Sequence, residues 1–206
     1  MNFTEGQIYI LIKDSITFLL TAAGILLASR GLSTWREQMK GTKEFDASYN
    51  LNYAVLKLRD AIRHVRNPAI WNAESNRAIR YAKEKYPERS NDPEIAKDST
   101  KYVYEMRWDE IVNAYREIES HQLAAEVLWG SEILRKIKPL NDKVNQLRNA
   151  IEQNLYPELR TKERGKIDEI IYNHGTDIED DDFGKEVSKA IAEINDFIKE
   201  KLKYKL

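Results

Sequence analysis

The stretch Ile8 to Ser29 reads IYILIKDSITFLLTAAGILLAS, 22 residues with only two charges, Lys13 and Asp14. A helix needs roughly 20 apolar residues to cross about 30 Å of hydrocarbon, so the length suits a transmembrane helix. The competing reading is a hydrophobic helix buried in a soluble domain. Length favours the span, and the two charges do not forbid it. A charge at the bilayer centre costs about 2.5–3.5 kcal/mol on insertion scales. At ~1.5 Å per residue, however, Lys13 lies ~8 Å from the middle of the stretch. Its ammonium can snorkel to the near interface. Five Ile and five Leu in the same stretch oppose the remaining cost.

Flanking charge sets the expected orientation. Residues 1–7 contain no Lys or Arg and one acid, Glu5, whereas Arg30, Arg36, Lys40 and Lys43 follow the stretch. The positive-inside rule then places the N-terminus outside and Arg30 onward in the cytoplasm. The expected layout is an outside tail (1–7), a transmembrane helix (8–29), a juxtamembrane segment (30–42) and a cytoplasmic helical domain (43–206). Lys13, Arg30, Trp35, Arg36 and Lys40 are expected at the membrane interfaces. A cleaved signal peptide would want a basic beginning and a shorter apolar run.

One face of the apolar stretch is made of small residues. Asp14, Thr17, Thr21, Gly24, Ala28 and Gly31 recur at spacings of 3, 4, 3, 4 and 3. Small residues let helix backbones approach closely in lipid, and a polar group can bond across the seam. This face is a candidate for helix association. Small residues are also common in membrane helices for no such reason.

About 176 residues follow the first 30, enough for one domain with a core. Charged residues make up 33%, and there are only 8 Gly and 5 Pro, which favours long helices over strands and turns. No segment alternates with period two long enough to read as a strand. The expected fold is therefore all-α: the N-terminal transmembrane helix, then an antiparallel helical bundle or hairpin array.

Helical seams carry that expectation. Leu51, Val55, Leu58, Ile62 and Val65 define a helix over 43–66 that ends at Asn67-Pro68. Gly41-Thr42 is a place where the helix could bend or break. Residues 69–86 read as a weaker, exposed helix and 87–99 as a surface loop. Trp108, Ile111, Tyr115, Ile118, Ala125 and Trp129 define a helix over 100–129 with Asp98, Ser99 or Thr100 as N-cap and Gly130 as stop. Ile137, Leu140, Val144, Leu147 and Ile151 define the next, over 131–155, with a kink or restart at Pro139. Residues 166–173 suggest a short helix. The acidic tract 177–182 reads as a solvated loop with helix-capping charge, favouring the dipole of a last helix over 184–203.

The segments TWREQMKG, KLRDAIRHVRNP, RW followed by EVLWG, and EIIYN with its acidic tract resemble a bacterial group of uncharacterised single-pass membrane proteins. In that group one N-terminal span precedes a helical domain. The resemblance covers most of the chain. It implies topology and a bacterial inner membrane, and it supplies no activity.

Motifs for catalysis are sparse. Cysteine is absent and there are three histidines, His64, His121 and His174, on separate segments. No phosphate loop, dinucleotide fingerprint or nucleophile elbow occurs. The tract from Asp177 has the flavour of a calcium loop, yet its sixth position is Asp182 and its twelfth Ser188, where the motif needs Gly and Glu. No metal and no cofactor are expected. Arg59-Asp60-Ala61-Ile62-Arg63-His64 resembles the R-x4-H motif of HEPN-type RNases, all-α proteins that join two copies of it. That resemblance implies that Arg59 and His64 hold a scissile phosphate and move protons. The plainer reading is a basic helix face, Lys57, Arg59, Arg63 and Arg66, meeting water or lipid headgroups. Trp71 and the tyrosines of 81–104 could line a groove between helices.

The net charge of −1 gives no general signal for nucleic acid, and none is expected as a partner. The expected role is a membrane-anchored helical interaction or scaffold module without catalysis. Its partners would be the lipid bilayer and a homo-oligomer or another protein. The alternative is the RNase using Arg59 and His64.

Overall fold

The computed structural model describes residues 5–173, 175 and 177–203. The remaining positions include His174 and most of the expected outer tail, which thus lie outside the described residues. Two compact units divide after Phe45. The first consists, where described, of helix α1 alone; α1 runs Glu5–Val65, and its last 20 residues belong to the second unit.

No break occurs at Gly41-Thr42. A glycine inside a helix costs only about 1 kcal/mol, and Thr42 Oγ1 donates back to the Gln38 carbonyl at 3.0 Å, within the same helix. The stop comes where the sequence places it: α1 ends at Val65, just ahead of Asn67-Pro68.

The second unit is an antiparallel helical bundle. Its further helices are α2 (Asn72–Lys85), α3 (Glu94–Lys97), α4 (Ser99–Trp129), α5 (Glu132–Leu155), α6 (Arg164–Ile171) and α7 (Asp182–Lys203). Among the described residues there is no strand. Ion pairs give the directions. Lys57 meets Glu117 and His64 meets Glu110, so α4 runs against α1. Lys143 meets Glu186 and Lys201 meets Glu132, so α7 runs against α5. Gly130, at φ 77°, turns α4 back into α5. Its N–H donates to the Glu126 carbonyl at 2.8 Å, which satisfies one of the open carbonyls at the helix end.

The expected seams form the core. Leu51, Val55, Leu58, Ile62 and Val65 are fully buried, as are Ile111 and Ile118 of α4, Ile137, Leu140 and Leu147 of α5, and Val187 and Ile194 of α7. Trp108, Tyr115 and Trp129 pack on that core without being fully covered. Trp129 meets Phe197 edge-on at 6.1 Å. Each buried aliphatic side chain contributes roughly 1.5–3 kcal/mol relative to exposure.

Four expectations need refinement. Residues 72–85 form a largely exposed helix, as expected, but one that is firmly held: α2 packs Ala78 and Ala82 with Ile95, Tyr102 and Val103 into a second small core. Small side chains make its seam hard to read as apolar. Residues 87–99 hold a 3-10 turn at Pro87–Arg89 and the short α3, because Ile95 gives the segment an anchor. Pro139 does not restart the helix; α5 runs through it. Asp98 precedes α4 but makes no side-chain cap bond.

Candidate functional site

Three surfaces can carry function. The first is the exposed part of α1. An 18-residue window there has mean hydropathy 1.5 with at most two charged residues, and none of it is buried. By length and composition it is able to cross a membrane. Lys13, Asp14, Thr17, Thr21, Gly24, Ala28, Arg30, Trp35, Arg36 and Lys40 all lie exposed on this one helix. Thr17 Oγ1 donates to the Lys13 carbonyl and Thr21 Oγ1 to the Thr17 carbonyl, each at 2.8 Å. Both hydroxyls therefore keep only acceptor capacity for a neighbour. A side chain built at Gly24 or Gly31 would meet nothing.

The second surface surrounds the end of α1. Two buried arginines close it. Arg66 is 0% exposed, and donates from Nε to the Ile170 carbonyl at 2.7 Å and from Nη2 to Glu169 O at 3.1 Å and Asp181 Oδ2 at 2.8 Å. Its guanidinium also stacks over Phe183 at 4.6 Å. Arg107, equally buried, donates to the Asn67 carbonyl at 2.6 Å, to the Ala69 carbonyl at 2.8 Å and to both oxygens of Glu74. The Arg107 guanidinium holds the Glu74 carboxyl below the usual carboxylate range, against the opposing effect of burial.

Arg66 was expected on a basic surface face; it is instead a core residue. A buried guanidinium is stable only with dense hydrogen bonding, which the open carbonyls at the end of α6 supply. The acidic tract keeps Asp177, Glu179, Asp180 and Asp182 exposed and supplies helix-capping charge, as expected, while Asp181 also pairs with the buried Arg66. Asp177 and Asp180 form a capping box around the 3-10 turn Ile178–Asp180. Asp181 splits its oxygens between Arg66 and the Gly184 N–H at 2.7 Å, so it caps α7 while pairing with α1. Asn173 completes the knot by accepting from Gly175 N and donating to the Asp177 carbonyl. A cleft of about 870 Å3 opens beside this knot, with Lys162, Lys166, Glu169, Asp182 and Glu186 on its walls.

Arg59 and His64 each face a carboxylate. Arg59 donates to the adjacent Asp60 at 2.8 Å. His64 Nδ1 lies 2.8 Å from Glu110 and its Nε2 3.7 Å from Glu74. Each partner is a carboxylate, which would repel a phosphate brought to the same group. Among the described residues no group of three His, Asp or Glu side chains could hold a metal ion.

The third surface is a groove between α4 and α5. Two adjoining hollows of about 200 and 280 Å3 share Trp108 and Arg148. Tyr104, Tyr115 and Tyr156 complete an aromatic wall. Of the tyrosines expected to line a groove, Tyr104 does so, while Tyr81 donates to Asp109 at 2.6 Å beside it. Burial first, then Asp109, pushes the Tyr81 phenol up. Trp71 does not line this groove; it precedes α2 and is largely exposed.

The sequence reading missed Glu74, Arg107 and the structural role of Arg66. Their partners are 33 to 115 residues away, and no local spacing announces them. No protein-family model, curated protein or solved structure matches the chain.

Proposed function

We propose that this chain is a membrane-anchored helical interaction module without catalysis. The apolar part of α1 inserts into a bacterial inner membrane with its N-terminus outside, and the bundle works at the cytoplasmic surface. The observation that carries the reading is the apolar window of α1, of which no part is buried by the rest of the chain. In water such a surface would cost about 25 cal/mol for each exposed Å2; in hydrocarbon the cost vanishes, and the helix satisfies its own backbone. The exposed basic residues that follow the apolar stretch, Arg30, Arg36, Lys40 and Lys43, favour the anionic cytoplasmic leaflet. Tethering then raises the concentration of the bundle near membrane partners without any reaction centre.

Alkaline carbonate extraction of membranes from expressing bacteria tests the tether. The chain should stay with the lipid pellet and leave it only with detergent. Protease added to spheroplasts should spare the bundle, and protease added to inverted vesicles should digest it. Recovery of the chain in the carbonate supernatant would reject the reading.

A further inference from the structure

Outside the apolar window, α1 keeps presenting large apolar side chains to solvent. Trp35 is 57% exposed, Phe45 61% and Tyr49 61%. Tyr49 stacks flat on Tyr53, with ring centroids 6.2 Å apart. These residues do not belong to the core seam. Leu51, Val55, Leu58 and Ile62 line the other side of the same helix and are fully buried.

The spacing of the exposed row is informative. Counted along the sequence, positions 14, 17, 21, 24, 28, 31, 35, 38, 42, 45 and 49 alternate steps of 3 and 4 without a slip. This seven-residue register is the one that keeps a helix face turned toward a parallel partner helix. Up to position 31 it carries Asp, Thr, Gly and Ala. From position 35 it carries Trp, Gln, Thr, Phe and Tyr. The change falls just after Arg30, where the tether leaves lipid. In lipid there is no hydrophobic drive, so close approach of small residues holds helices together. In water, burial of aromatic surface does.

We infer that this face is a parallel seam with a second copy of the same chain, running from Asp14 to Tyr49. The inference rests on the tether proposed above, which gives every copy the same orientation and so makes parallel pairing the available geometry. The size is adequate. Trp35, Phe45 and Tyr49 from two copies are six rings of roughly 150–250 Å2 each, partly covered already by their own helix, and they put on the order of 600 Å2 into the seam. The lipid-embedded half supplies the rest of the ~1,200 Å2 that a specific pair needs.

The chain has no cysteine, so disulfide scanning of the full-length protein in native membranes has no background. Single cysteines at Gln38, Thr42 and Phe45 lie on the register; cysteines at Ser33, Glu37 and Lys40 lie off it. Oxidation with a copper catalyst should cross-link the first set and leave the second monomeric. Gly24→Leu, at a site where a side chain meets nothing in the chain itself, should lower cross-linking at Thr42→Cys about tenfold while the chain stays in the membrane pellet. Equal cross-linking on all faces, or none, in a chain that remains in the pellet overturns the seam and leaves the tether standing. Register-specific cross-links in a chain found in the supernatant overturn the tether and leave the seam.

Discussion

Arg66 and Asp181 stand 115 residues apart in sequence and meet at 2.8 Å, Nη2 to Oδ2. The pair ties the end of α1 to the start of α7. Asp181 is at once the cap of α7 and the counter-ion of a fully buried guanidinium, so two structural tasks share one carboxylate. Breaking a buried pair by removing one partner typically costs about 3–5 kcal/mol, because the other charge is left in low dielectric. Asp181→Ala is therefore expected to lower unfolding free energy by about that amount. Arg66→Met keeps the stem over Phe183 and removes the charge, so it should cost less than Arg66→Ala. Urea titration of the full chain in mild detergent, followed by helical circular dichroism, gives both numbers. A loss under 1 kcal/mol for Asp181→Ala would mean that the pair is dispensable.

The second clamp predicts how the bundle responds to acid. Glu74 binds Arg107 through both oxygens, and that hydrogen bonding, opposed by burial, sets its carboxyl below the ordinary 4.5. A group with a depressed folded-state pKa contributes stability that is complete above its unfolded value. That stability is lost as pH falls through the folded value. The bundle should thus be stable at neutral pH and weaken below about pH 4.5. Glu74→Gln should lose roughly 3 kcal/mol at pH 7, with a visibly shallower acid limb. His64→Ala is a useful contrast. Its pair with Glu110 is about half exposed, and its removal should cost under about 1 kcal/mol. Thermal melts from pH 3 to pH 8 compare the three proteins.

How much of this was legible beforehand divides along a physical line. Leu51, Val55, Leu58 and Ile62 announce their helix face because apolar period 3.6 is a local signal. The same holds for Ile137 to Ile151. The apolar length of 8–29 is local too. Arg66 is not: on a helical wheel it extends a basic face with Arg59 and Arg63, and only the fold reveals the carbonyls of α6 around it. Ala78 and Ala82 failed in the other direction, being too small to weigh in an apolar count although both are fully buried. The acidic tract reads as solvated, helix-capping charge and is so; what composition does not display is the pairing of Asp181 with Arg66.

Pro139 offers a test with the opposite sign. It sits exposed inside α5, where it has no N–H to give to the carbonyl of Arg135 and its ring crowds that turn. Proline in a helix interior is about 3 kcal/mol less favourable than alanine. Part of this is offset by the lower entropy of the unfolded chain, at about 0.4–1 kcal/mol. Pro139→Ala should therefore stabilise the bundle by about 2–2.5 kcal/mol, read as a higher urea midpoint at unchanged slope. A destabilisation would show that the proline sets the curvature on which α5 packs against α7.

Three glycines should respond to alanine in three ways. At Gly184, a Cβ would run into the backbone carbonyl of Ile178, and backbone cannot step aside as a side-chain tip can. The turn that carries Asp181 would have to move, so Gly184→Ala should cost at least as much as Asp181→Ala. At Gly130 a Cβ meets nothing, but φ is 77° and ψ −179°, a region essentially reserved for glycine that other residues enter at a cost on the order of 1–3 kcal/mol. Gly165, inside α6, has open space and ordinary helical backbone, so Gly165→Ala should stabilise by about 0.5–1 kcal/mol. The order Gly184, Gly130, Gly165, from large loss through small loss to gain, separates steric exclusion from backbone strain and from chain entropy. Equal effects at Gly184 and Gly130 would remove the close approach at Ile178 from the account of how α7 begins.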